Sequence, residues 1–234
     1  MKLKNYVYCA LDFSDLNQTL NFTDKVCKHI GGVKVGLEFF VKYGIEGVLK
    51  IKKFGIPVFL DLKLHDIPNT VKNTTENIIK IKPQLLTIHL TGGSEMIKQV
   101  CKIKKDTKII GVTMLTSLDR NDLKAFGVEI PESKFVESLT SIGIKSGIDG
   151  VVSSPLELTK LKKKFGNSLT YVTPGIRLNK DIKNDQKRVS SPGHAVLNGS
   201  SLLVIGRPIT MSRNPIKSIE KILENIRESL ESRN

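Results

Sequence analysis

Apolar residues along the 234-residue chain follow two alternating patterns. Short β-rich runs recur at YVYCAL (6–11), VKVG (33–36), VFLDLK (58–63) and LLTIH (85–89), then at KIIGVTM (108–114), GVVS (150–153), LTYVT (169–173) and LLVIG (202–206). Between them lie longer stretches with helical spacing, 15–29, 38–54, 67–81, 93–104, 133–146, 155–165, 191–198 and 215–230. Eight strands, each followed by a helix, is the count of a (β/α)8 barrel of the TIM type. An open, doubly wound α/β sheet is the alternative, but it usually stops at about five to seven strands. The pattern therefore predicts one α/β domain over residues 1–234.

Polar residues collect where these strands end. In chain order they are Asp12, Lys34, Asp61 with Lys63, His89, Thr113, Ser153, Thr173 and Gly206 with Arg207. In a barrel these carboxyl ends form the face on which active sites are built. The stretch FLDLKLHDIPNTV (59–71) stands out, because Asp61 and Lys63 interrupt a run that otherwise reads as buried. Burying an ion costs several kcal/mol unless it is paired. Residues two apart on a strand face the same way, so Asp61 and Lys63 are expected to touch. Lys34, on the neighbouring strand, is expected to reach Asp61 from the other side.

Asp66 admits two readings: an extension of the charged array, or the N-cap of a helix opened by Pro68. The strand-to-helix turn could also aim it toward an oligomeric partner. The segment IGRPIT puts Gly206 and Arg207 at a helix entry, a natural anion site. Residues 173–190, TPGIRLNKDIKNDQKRVS, form the longest irregular stretch and bring Arg177 and Gln186 toward the same anion.

Composition narrows the classes. There are 37 Lys+Arg against 23 Asp+Glu, a net charge of +14, which suits an anionic substrate or a nucleic acid. Aromatic content is 6%, there is no Trp, and no zinc-finger, RNP or basic-zipper pattern occurs, so nucleic-acid binding is disfavoured. No apolar run approaches the roughly 20 residues of a membrane span. The start, MKLKNYVYCALDF, reads as a first strand rather than a signal peptide. Cys9, Cys27 and Cys101 show no metal-ligand spacing, and reduced thiols in a cytoplasmic protein are expected.

These residues carry a resemblance. DLKLHDIPNT is similar to the DxKxxDIPNT signature of the orotidine 5′-phosphate decarboxylase family. The likeness continues through LD at Asp12, KVG at Lys34, HLTGG (89–93), VTMLTS (112–117), TPGIR (173–177), DQKR (185–188) and VIGRPIT (204–210). It implies a cytoplasmic, stand-alone bacterial-type homodimer that decarboxylates orotidine 5′-monophosphate to UMP without metal or cofactor. It further implies that Lys34, Asp61, Lys63 and Asp66 form a charged tetrad, with Lys63 protonating C6. Asp12 and Lys34 would contact ribose, and Thr116 would contact substrate. Asp66, Ile67 and Thr70 would reach the partner's site. Arg177, Gln186, Gly206 and Arg207 would serve the pyrimidine and phosphate sides. Two departures are visible: Lys187 where the family usually has arginine, and Leu90 at a position that is often small.

Two other readings remain. One is a magnesium-dependent keto-sugar-phosphate decarboxylase or hexulose-phosphate synthase of the same superfamily. Those enzymes resemble one another in a metal-binding glutamate where this chain has Lys34. The other is a basic nucleic-acid-binding protein, which would explain the charge but not Asp61, Lys63 and Asp66.

Overall fold

A computed structural model describes residues 2–178 and 190–232. Eight parallel strands close into a barrel in sequence order: β1 (Val7–Ala10), β2 (Gly32–Gly36), β3 (Val58–Leu64), β4 (Leu85–His89), β5 (Lys108–Val112), β6 (Gly150–Val152), β7 (Thr170–Thr173) and β8 (Leu202–Ile205). The last strand pairs with the first, Tyr8 opposite Val204, so no edge is left exposed. The predicted (β/α)8 barrel is the observed fold.

The helices α1 (Leu16–Val26), α2 (Leu37–Lys52), α3 (Pro68–Ile79) and α4 (Gly93–Ile103) fall where the periodicity put them. So do α6 (Glu132–Lys145), α7 (Leu158–Phe165), α8 (Pro192–Leu197) and α10 (Pro215–Glu231). Two short helices, α5 (Arg120–Ala125) and α9 (Arg207–Thr210), lie outside the periodic stretches, being too short to show a helical period, although a helix entry at Gly206 and Arg207 was expected. Helix α5 opens on a capping box between Asp119 and Asp122. Among the described residues no helix is long and apolar enough to cross a membrane.

The period of two sorts each strand's side chains between two cores. Outward residues such as Val33, Val35, Leu60, Leu86, Ile88 and Leu203 pack under the helices. Inward residues Tyr8, Phe59, Leu85, Ile110 and Val172 fill the barrel itself. Gly32 is required there, since a Cβ on it would lie 2.2 Å from the Tyr8 ring. The Tyr8 hydroxyl donates to Gln84 Oε1 at 2.5 Å, and burial pushes the phenol up to about 12. This plug closes the barrel below and forms the floor of a site above it.

Leu90 explains its own departure from a small residue. It is 1% exposed and sits against Gly111 of β5 and Gly143 of α6. A Cβ at those glycines would meet the leucine at 2.6 and 3.1 Å. Space given up on two neighbouring elements thus receives the larger side chain.

Candidate active site

A cavity of 720 Å³ opens at the carboxyl ends of the strands. Its wall divides along the chain. Strands β1–β3 contribute charged groups, with Asp12 just past β1, Lys34 on β2, and Asp61 and Lys63 on β3. Strands β5–β8 contribute Val112, Val152, Val172 and Val204. The strand residues are thus charged on one side and apolar on the other, with Arg177 and Arg207 set at the rim above the valines.

The ionic half is a continuous chain of alternating charge. Lys34 Nζ lies 3.3 Å from Asp12 Oδ1 and 3.8 Å from Asp61 Oδ2. Lys63 Nζ lies 2.9 Å from Asp61 Oδ1. Asp61 and Lys34 are the most enclosed members, with side chains 14% and 12% exposed, and each has an oppositely charged neighbour. That pairing is what makes burial tolerable. Gly36 leaves room for it, because a Cβ there would come within 3.1 Å of the Lys34 ammonium.

The strand carrying these ions is irregular. Leu60 pairs with Leu86 and Leu64 with Ile88, so four steps on β3 match two on β4. Inside this bulge Lys63 takes φ = 49°, a left-handed conformation that lysine rarely adopts. Thr87 holds the bulge. Its fully buried hydroxyl accepts from the Lys63 N–H at 2.9 Å and donates to Asp61 Oδ1 at 3.0 Å. One hydroxyl thereby fixes the backbone of the lysine and the carboxylate that the lysine faces. Thr87 was not among the residues singled out from the sequence. Its only signal is a hydroxyl two places before the end of an apolar strand, on the inward phase.

His89 follows on that phase, its ring 5.3 Å from that of His65. Burial first, then the neighbouring His65 and Lys63, hold the His89 imidazole below its ordinary range. On the opposite rim, Gly206 and Arg207 begin α9 and line the cavity together with Thr116 and Arg177. Arg177 is 9% exposed and donates to the carbonyl of Ile176. A backbone bridge steadies this rim: the Arg177 N–H donates to Ser190 O and the Ser190 N–H to Gly175 O. Gln186 lies outside the described residues.

Asp66, Ile67 and Thr70 are exposed and do not line this protomer's cavity. The N-cap reading of Asp66 is corrected here. Helix α3 starts at Pro68 with Ile67 in the capping position, and the Asp66 carboxylate accepts from the Ile67 N–H at 2.6 Å. Pro68 keeps the residue before it extended, with Ile67 at ψ 151°, so the helix starts no earlier than Pro68 and the cap falls on Ile67.

Comparison with known proteins decides the family. The family model described as "Orotidine 5'-phosphate decarboxylase / HUMPS family" matches residues 5–222. The chain belongs to that family. An orotidine 5′-phosphate decarboxylase of Ehrlichia chaffeensis is 44% identical over 225 residues, covering 95% of this chain and 97% of that protein. The one from Wolbachia pipientis subsp. Culex pipiens is 42% identical over 224 residues, covering 95% and 99%. Among solved structures, the orotidine 5′-phosphate decarboxylase of Lactobacillus acidophilus superposes with a TM-score of 0.84 at 36% identity, covering 94% of this chain and 98% of that one.

Proposed function

We propose that the protein converts orotidine 5′-monophosphate to UMP and carbon dioxide, with Lys63 as the proton donor. The observation that carries this reading is the Asp12–Lys34–Asp61–Lys63 chain, which ends in an ammonium lining the cavity. In this reaction the C6–carboxylate bond breaks and its electron pair stays on C6, where no adjacent carbonyl takes it up. Stabilisation must come from a fixed charge beside C6. Lys63 provides that charge, then passes a proton to C6 and regains one from solvent. Asp61 holds the ammonium in place.

Asp61 also faces the substrate carboxylate. Two carboxylates about 4 Å apart repel by about 4 kcal/mol at an effective dielectric near 20. Enzymatic accelerations need about 8–23 kcal/mol, so crowding contributes only a minor share. Most of the effect is stabilisation of the carbanion.

Gly206 and Arg207 take the phosphate, and Arg177 and Gln186 serve the pyrimidine-side and phosphate-side contacts. Asp12 and Lys34 hold the ribose and Thr116 contacts the substrate. The valine half of the mouth receives the uncharged face of the nucleotide, which leaves the ionic half for C6. Remote phosphate binding offsets the cost of assembling this site around a reaction several bonds away.

Asp66, Ile67 and Thr70 complete the site of a second protomer. Their exposure supports this, with Ile67 an apolar side chain 67% exposed on the same rim. We place the working homodimer in the cytoplasm, consistent with three unpaired thiols. The hexulose-phosphate branch of the superfamily fits less well. The Lys34 ammonium lies between Asp12 and Asp61, where a divalent cation would meet a fixed positive charge.

The test is consumption of orotidine 5′-monophosphate followed by ultraviolet absorbance with excess chelator present. Turnover that survives chelation and vanishes in a folded Lys63→Ala variant supports the assignment. No turnover by the folded wild-type protein overturns it. Mixing Lys63→Ala with Asp66→Ala protein tests the shared site, because a mixed dimer holds one intact set. Recovery to roughly a quarter of wild-type activity is expected from random pairing, and no recovery refutes the shared site.

A further inference from the structure

A second cavity, of 620 Å³, opens at the opposite end of the barrel, where β3, β4 and β5 begin. Lys52, Lys80, Lys82 and Lys105 surround it against a single aspartate, Asp106. Two of these lysines have local partners. Lys52 donates to the carbonyls of Ile81 and Lys82, and Lys80 donates to Asn77 Oδ1 at 2.8 Å. Burial, and then Lys82, push the Lys52 ammonium below the ordinary lysine range. The local field is therefore already unfavourable to another cation.

Lys82 and Lys105 add to that field at a conformational cost. They sit in the turns after α3 and α4 with φ of 48° and 50°. The corresponding left-handed positions after α2, α5, α6, α7 and α8 are Gly55, Gly127, Gly147, Gly166 and Gly199. Glycine is the unstrained residue there, and lysine is not. Lying two or three residues past the final helical residues Ile103 and Ile79, both lysines also sit near the carbonyl ends of α4 and α3, where a positive charge is favoured. Their ammonium groups have no hydrogen bond or ion pair among the described residues. Both positions where lysine stands in place of glycine face this cavity, beside Gly55, which keeps the glycine.

We propose that this cavity binds a polyphosphate group, held by the four lysines with Lys82 and Lys105 as the uncommitted pair. Several negative charges on adjacent phosphates match ammonium groups set around one concavity, and a lone carboxylate would engage only one or two of them. Lysines grouped around one concavity suit a small ligand better than a nucleic-acid backbone, which needs an extended track of cations.

The test is calorimetric titration of the full protein with inorganic tripolyphosphate. Wild type, Lys82→Gly/Lys105→Gly and Arg207→Ala are compared. Glycine suits both backbone conformations, so the double variant loses charge without losing the fold, and its thermal midpoint should stay level or rise. Binding is expected to weaken at least tenfold in the double variant and to persist in Arg207→Ala, which reports on the other cavity. ATP that displaces tripolyphosphate one for one assigns a nucleoside-borne phosphate, whereas failure to displace assigns the free chain. Equal binding by wild type and the double variant overturns the proposal. So does binding lost in Arg207→Ala alone, or a single-stranded RNA that binds where tripolyphosphate does not.

Discussion

Replacing Thr87 by valine keeps the shape of the side chain and removes one hydroxyl. That hydroxyl serves both the Lys63 N–H, at 2.9 Å, and Asp61 Oδ1, at 3.0 Å. A hydrogen bond to a charged carboxylate contributes about 1.5–3 kcal/mol, and a buried donor left without a partner costs about 1–3 kcal/mol. Relaxation of the bulge recovers part of this, so a net loss near 3 kcal/mol is expected. For a domain of this size that lowers the thermal midpoint by about 6–12 °C. The bulge also holds Lys63 at φ = 49°, and without its anchor the backbone can relax toward an ordinary strand. On the proposed role of Lys63, a displacement of about 1 Å there costs on the order of 100-fold in rate. The assay is steady-state decarboxylation of orotidine 5′-monophosphate beside a thermal melt. Thr87→Ser, which keeps the hydroxyl, should stay within about threefold of wild type by comparison. A Thr87→Val enzyme with kcat/KM near the wild-type value would show that the hydroxyl does not position Lys63.

Other substitutions probe the remaining parts. On the proposed phosphate role of Arg207, Arg207→Ala should lower kcat/KM for the nucleotide by about 100-fold, at roughly 1.4 kcal/mol per tenfold; an unchanged value removes Arg207 from the site. Leu90→Ala empties the slot formed with Gly111 and Gly143 and should cost about 2–5 kcal/mol of stability, read from urea denaturation. His89 has a folded-state affinity for protons below that of the unfolded chain. The unfolded state therefore takes up its proton first as the pH falls below the ordinary histidine value near 6.5, and stability drops through that window. His89→Asn should flatten that acid-side slope while leaving stability at pH 8 close to wild type, as followed by melts across pH.

The barrel was legible because period-two and helical patterns alternate without interruption, and β3 announced itself by carrying ions in an apolar run. The contacts Lys34–Asp61 and Asp61–Lys63 followed from strand phase alone. What the phase could not carry is the local irregularity. The β3 bulge and the left-handed Lys63 depend on a hydroxyl from the next strand, some 24 residues away. The cap of α3 fell one residue later than Asp66 because Pro68 holds Ile67 in an extended conformation. Leu90 was legible as an exception but not as a solution, since its space is released by two glycines distant in sequence. Helices α5 and α9 span six and four residues, too few for a period to emerge.

The two halves of the mouth arrive in order during synthesis. Every ion of the Asp12–Lys34–Asp61–Lys63 chain, and the threonine that braces it, lies within the first 87 residues, whereas Arg177 and Arg207 lie in the last third. The ionic array and the rim that faces it are brought together only when β8 pairs with β1. Closure of the ring is thus a precondition for the site, and on the proposed homodimer the second protomer then completes it. A gene divided between α4 and β5 would yield one fragment with the ionic array and one with the anion rim. Neither would decarboxylate alone, and activity on mixing would report directly on closure of the barrel.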